Sequence, residues 1–443
     1  MNIRFSKLFS IVIFIFIIIS LSCSENNNNI TAPTDTTPPA AIIDLQAINP
    51  TGSSITLVWT TPGDDGKIAK AKQYDIRYDT TMIADSNWNK AIKITNPPLP
   101  KVGGYKDTFV VTGLNPTTTY YFAMKTADEV PNWSGLSNIA YNTTLLEGNW
   151  LIYDKNNGLP SDTIFNIALQ GAYKYFGSPN GLTRFNGSAW QVFDTLNSEI
   201  AGNFITALTV DASGVLWIGT RSDGISKFDG SVFTRLNESN SGLLSNDITS
   251  IVTKAPNDIW IGTGTAGICR LLDTNWIYYN TTTTNSPDNN IEMMAFDNSG
   301  RLWVATNRGG VSRMENDSTF VNYSVIAGLS YNMVSSIVPS NDGRIWFGTE
   351  HGVAVFYNNS WDTTYNTANS GLINNVVLTV AVDLSGDEWF GTWEGLSRFD
   401  GSHWTNYTTS NSELPNNFIQ TIKVDMVGNI WLGTNGGLAE FYK

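Results

Sequence analysis

A tetrapeptide recurs at a nearly constant interval through the last two thirds of the chain. Trp-x-Gly-Thr stands at Trp217–Thr220, Trp260–Thr263, Trp346–Thr349, Trp389–Thr392 and Trp431–Thr434, with Trp303-Val-Ala-Thr306 and Tyr175-Phe-Gly-Ser178 as variants. The seven aromatic anchors lie 42, 43, 43, 43, 43 and 42 residues apart. Such a period implies repeated supersecondary units, each unable to bury its apolar faces without a neighbour.

Each repeat holds four short strand signals. Ile205–Val210 exemplifies the first, and the turn Asp211-Ala-Ser-Gly214 follows it, matched by Asp297–Gly300 and Asp383–Gly386. The Trp-x-Gly-Thr strand comes next. A tight turn then ends in Asn180-Gly181, Asp223-Gly224, Gly309-Gly310 or Gly436-Gly437, where glycine tolerates positive φ. Leu396–Phe399 exemplifies the third strand, and the fourth has an aromatic: Trp190, Phe233, Trp276, Phe320, Trp361 or Trp404. Four antiparallel strands per repeat describe a propeller blade. The Trp row is expected to pack on the next blade, with the motif glycine permitting close approach. The last copy stops at Phe441-Tyr-Lys443 before a fourth strand, while a spare fourth-strand match, Asn149–Tyr153, precedes the first copy. The N-terminal strand should therefore complete the last blade and close a ring of seven.

Residues 39–146 read differently. Ile55, Leu57 and Trp59 alternate along one strand, and Tyr74, Ile76 and Tyr78 along another. Short strands spaced in this way predict a two-sheet sandwich. Trp59 and the run Leu114-x-Pro116-x-Thr118-x-Tyr120-x-Phe122 resemble the core Trp and tyrosine corner of a fibronectin type III domain. The chain is thus expected to be all-β: a fibronectin type III β-sandwich followed by a seven-bladed β-propeller with four-stranded blades over 147–443. Asp64, Asp65, Asp128 and Glu129 could suggest calcium at one end of the sandwich, and solvated acidic loops are the plainer account.

At the N-terminus, Arg4 and Lys7 precede an apolar run of 14 residues, Leu8–Leu21. A bilayer span needs about 20, so residues 1–22 read as a secretory signal. Ser20-Leu21-Ser22-Cys23 resembles a bacterial lipoprotein processing site, which implies lipidation at Cys23. Residues 23–38, rich in Asn, Thr and Pro, read as a disordered tether.

The repeats, most closely Leu414-Pro415 through Gly437-Leu438, resemble the two-component regulator propeller family. That resemblance implies the sensor half of hybrid two-component systems, which often detect glycans. Its kinase output is not expected here, because no kinase segment follows Leu438.

Lys+Arg 26 against Asp+Glu 39 gives a net charge of −13, unsuited to a sequence-independent nucleic-acid binder. Two Cys exclude a disulfide scaffold, and two His leave little room for histidine chemistry. No cofactor, metal or catalytic set is expected. Features shared by every copy, such as Asp162, Asn203, Asn246, Asn289, Asn332, Asn375 and Asn417, read as structural. Cys269 reads as a small core filler.

Departures from the repeat mark candidate ligand-binding residues: Arg221, Asp223, Arg308, Tyr331, Glu350, His351, Trp393 and Glu394. They fall in turns and inter-blade loops that should share one face, where an aromatic flanked by charged groups suits sugars. The expected function is a non-enzymatic, monomeric lipoprotein of the bacterial cell envelope, held at the outer membrane through Cys23. Its partner would be a glycan or an envelope protein. The alternatives are a polysaccharide lyase or hydrolase with its site at the propeller mouth, and a structural adhesin.

Overall fold

The structure is a computed structural model and describes residues 35–65, 69–130, 132–146, 148–284, 286, 288–325 and 329–442. The signal segment, Cys23 and most of the tether lie outside the described residues.

Alternation in the first unit builds two facing sheets. One contains Gln46–Ile48, Ser54–Thr60 and Lys106–Thr112, and the other Ile92–Lys93, Gln73–Asp79, Thr119–Ala127 and Ala140–Thr143. Ile55, Leu57, Trp59, Ile76 and Phe122 are fully buried between them. Trp59 meets Tyr74 edge-on at 5.3 Å. The Tyr120 hydroxyl accepts the Asn115 N–H at 3.0 Å, which is the expected tyrosine corner. The chain enters the sandwich where Asn132 donates to the Asp35 carbonyl, at the Ala127 end of the nine-residue strand Thr119–Ala127. It leaves at the other end, where the Leu145 N–H donates to the Thr51 carbonyl. These ends are roughly 30 Å apart at strand rise. The Leu146 N–H then donates to Asn411 of the propeller at 2.8 Å.

Seven four-stranded antiparallel sheets follow. The last pairs Ile419–Val424, Ile430–Thr434 and Leu438–Tyr442 with Asn149–Tyr153, from Leu438↔Tyr153 to Tyr442↔Asn149. The ring therefore closes inside a blade, as the repeat arithmetic predicts. The Trp row lies between blades. Trp303 of blade four packs with Val334, Ile337 and Phe347 of blade five, and Trp431 of blade seven with Ile164, Ile167 and Phe176 of blade one.

Two details explain the motif. First, its glycine faces the leading inner-strand residue of the next blade. A Cβ on Gly219 would lie 2.6 Å from Ile248 Cγ2, and one on Gly391 2.7 Å from Ile419 Cγ2. Blade four has Ala305 instead, and there the facing cluster contains the smaller Val334. Second, the turn Asp caps its own hairpin and holds the indole six residues on. Asp211 accepts from Ser213 N, Val215 N and Trp217 Nε1 at 2.8, 3.0 and 2.9 Å. Asp297–Trp303, Asp383–Trp389 and Asp425–Trp431 repeat the bond at 3.0–3.1 Å. Blades three and five lack this Asp, and Trp260 and Trp346 have buried indole N–H groups without an acceptor among the described residues.

Asp211→Ala should therefore destabilise the propeller by about 2–3 kcal/mol, since it strands a buried indole and two turn amides. Urea denaturation followed at Trp fluorescence would measure this.

Glu388 occupies a slot held by Leu216, Ile259, Leu302, Ile345 and Ile430 in other blades. Burial pushes its carboxyl from about 4.5 up to about 7. The folded state then holds a proton that the unfolded state has lost, so stability falls as pH rises between these two values. Glu388→Gln should flatten that slope and exceed the parent protein in stability at pH about 8, with no gain at pH about 4. Parallel urea titrations at the two pH values would check it.

Candidate functional site

Antiparallel alternation fixes which loops meet. In every blade the turn between the second and third strands opens on the same face as the loop arriving from the preceding blade. All eight candidate residues lie on these loops and turns.

The recurrent Asn row on this face has a structural task. The side-chain oxygens of Asp162, Asn203, Asn246, Asn289, Asn332, Asn375 and Asn417 each accept a backbone N–H seven or eight residues upstream, at 2.8–2.9 Å. Each bond closes an inter-blade loop by joining its start to its end. Ligand-directed chemistry must come from what varies around this ring.

Trp393 is half exposed (50%). Its N–H donates to the Val376 carbonyl, and its ring stacks on Phe418 of blade seven at 5.8 Å. Exposed Glu394 stands beside it. In blade five, Tyr331 and His351 stack at 4.2 Å. Arg221 lies over the Phe204 ring at 5.2 Å, and Phe204 stacks on Phe165 at 5.2 Å. Burial raises the neighbouring Asp247 carboxyl, and the Arg221 charge partly offsets this. Glu350 lines a recess of about 150 Å³ with Glu292, Asn307 and Met333, in which the Asn307 amide donates to Glu292 at 2.6 Å. Asp223 and Arg308 are exposed in their turns.

The structure thus gathers the candidates into separate stations around one mouth. Trp393–Phe418, Phe165–Phe204–Arg221 and Tyr331–His351 are its aromatic stations. Sequence reasoning missed Phe165, Phe204 and Phe418. The signal for Phe204 and Phe418 lay in the residue before the leading Ile or Val of each inner strand, which varies as Thr163, Phe204, Asp247, Asn290, Met333, Val376 and Phe418. Phe165 follows that leading residue, where other blades carry Thr206, Thr249, Glu292, Ser335, Leu378 and Gln420.

Other candidate chemistry stays apart. His403 lies in an outer hairpin turn on the opposite face from His351, against Asp400 at 3.5 Å. Cys269 is fully buried, and burial pushes its thiol up to about 11. At the sandwich end, burial and the adjacent Glu129 carboxyl raise the Asp64 pKa. Among the described residues, no group of three or more His, Cys, Asp or Glu side chains is arranged to hold a metal ion.

Comparison with known proteins agrees with this architecture. The fibronectin type III domain family matches residues 37–135, and the two component regulator propeller family matches 199–222, 285–308, 328–351 and 413–436. The chain therefore contains a fibronectin type III domain followed by two-component regulator propeller repeats. Human calcium-activated chloride channel regulator 1 is 34% identical over 112 residues, which are 24% of this chain and 12% of that protein. The chain thus spans about an eighth of the length of that curated relative.

Among solved structures, an extracellular domain assigned to a hybrid two component system of B. thetaiotaomicron aligns with a TM-score of 0.60 and 18% identity, over 90% of this chain and 51% of that one. Virginiamycin B lyase from Staphylococcus aureus aligns with a TM-score of 0.54 and 14% identity, over 67% of this chain and 100% of that one. At these identities the likeness is one of fold. Among the described residues, no helix is long and apolar enough to cross a membrane.

Proposed function

We propose that this protein is an extracytoplasmic binding or sensing lipoprotein of the cell envelope. It is anchored through Cys23, with the sandwich as a spacer and the turn face of the propeller as its recognition surface. The observation that carries this reading is Trp393: a half-exposed indole stacked on Phe418, beside the Glu394 carboxylate. A flat aromatic platform next to a hydrogen-bond acceptor suits a pyranose ring and its hydroxyls. The end-to-end path through the sandwich supports the spacer role. Likeness to the extracellular domain of a sensor system is in keeping with it. A glycan is the favoured partner, and an envelope protein is the alternative.

A glycan array probed with the chain and with Trp393→Ala tests the recognition surface. The expected result is a saccharide hit weakened at least about tenfold by the variant, with unchanged thermal stability, since the ring is outside the core. Silence from both proteins would overturn the glycan reading and leave the envelope protein. For the anchor, Cys23→Ala should move the protein from the membrane to the soluble fraction and abolish metabolic fatty-acid labelling. Labelling that persists would refute it.

A second reading rests on the recess shared by Glu292 and Glu350. Two carboxylates facing one recess are what glycoside hydrolysis requires. Saccharide turnover lost in Glu350→Gln, with the fold intact, would favour an enzyme over a receptor.

A further inference from the structure

A large cleft lies away from the turn face, between the sandwich and the outer strands of blades six and seven. It encloses about 740 Å³. That falls within the roughly 300–1,000 Å³ range of small-molecule sites, which favour domain boundaries. One wall is the sandwich turn at Thr51–Ser53 with Leu114 and Pro116. Backbone bonds fix this wall: the Thr51 N–H donates to Ser54, and the Leu114 N–H to Ser53. The tyrosine corner pins Asn115 beside it. The opposite wall is the propeller, joined to the linker by the Leu146–Asn411 bond. Both walls are thus set before any ligand arrives.

The cleft lies beside a position that varies among the blades. In blades one, three and six a glycine lies flat against the outer-strand indole. A Cβ on Gly158, Gly242 or Gly371 would meet Trp190, Trp276 or Trp404 at 2.3–2.6 Å. In blade seven the corresponding residue is Glu413, beside Trp150. The Glu413 side chain is exposed to the cleft, and no hydrogen bond or ion pair reaches its carboxylate among the described residues. The Trp150 ring is only 8% exposed, and its indole N–H has no acceptor among the described residues. Arg398 also lines the cleft; its Nε donates to Asp387 at 2.8 Å, which neutralises its charge.

We propose that this cleft is a second binding site, for a short neutral saccharide whose hydroxyls donate to Glu413 and whose ring face rests on half-buried Tyr442. An unpaired carboxylate accepts hydrogen bonds and offers none, so it selects a ligand rich in donors. The same carboxylate, on a chain of net charge −13, disfavours acidic sugars. The inference does not depend on the turn-face reading, because it uses none of the same residues.

The test is calorimetric titration of the full chain with cellobiose, xylobiose, maltose and N,N′-diacetylchitobiose, with digalacturonate as the acidic comparison. At least one neutral disaccharide should bind saturably, and digalacturonate should not. Glu413→Gly installs the residue that stands there in blades one, three and six, so the fold should hold, as thermal melting would verify. It should weaken binding at least about tenfold, as should the isosteric Glu413→Gln, while Leu384→Ser, in an exposed hairpin turn outside both candidate sites, should leave it unchanged. The proposal is overturned if no neutral disaccharide binds, if binding survives both Glu413 variants, or if digalacturonate binds best. Loss in Trp393→Ala with retention in the Glu413 variants would move the saccharide to the turn face.

Discussion

The distance of closest approach between neighbouring blades governs the propeller. Two twisted sheets meet where the motif glycine of one faces the leading Ile or Val of the next, and there is no room for a Cβ beside an isoleucine. The buried indole row, two residues earlier on the same strand, fills the rest of the same gap. A small residue and a large one on one strand thus shape the contact between neighbouring blades. The Asp–indole bond sets the tilt of that large residue, which explains why turn and strand recur as one unit.

Much of the fold was legible because it is periodic. The interval between anchors specified the blade, and the surplus strand Asn149–Tyr153 specified where the ring closes. The sandwich was legible through Trp59 and Tyr120, whose burial and backbone bond depend on local alternation and a short loop. The recurrent Asn row could be read as structural for the same reason: a feature needed at every blade is explained by the blade.

The recognition surface was only partly legible. Trp393 stood out because it broke the repeat, but its stacking partner Phe418 comes from the next blade, and no local pattern joins the two. Tyr331 and His351 were both singled out, yet their contact depends on how one loop folds over one turn. The cleft at Glu413 was invisible at the sequence level. It requires a sandwich turn some 360 residues upstream to become its wall. Repetition makes scaffolds predictable and leaves the contacts between distant segments to the folded chain.

Closure within a blade also has a mechanical side. The strand Asn149–Tyr153 is continuous with the sandwich through a few linker residues, and five residue pairs join it to Leu438–Tyr442. Tension between the sandwich and an object held by the propeller would pass through this strand. It would load the hydrogen bonds that keep the ring shut along their weakest shared edge. The Leu146–Asn411 bond lies directly upstream and takes the first part of that load on blade six. The ring would thus be braced at the point where it is most easily opened.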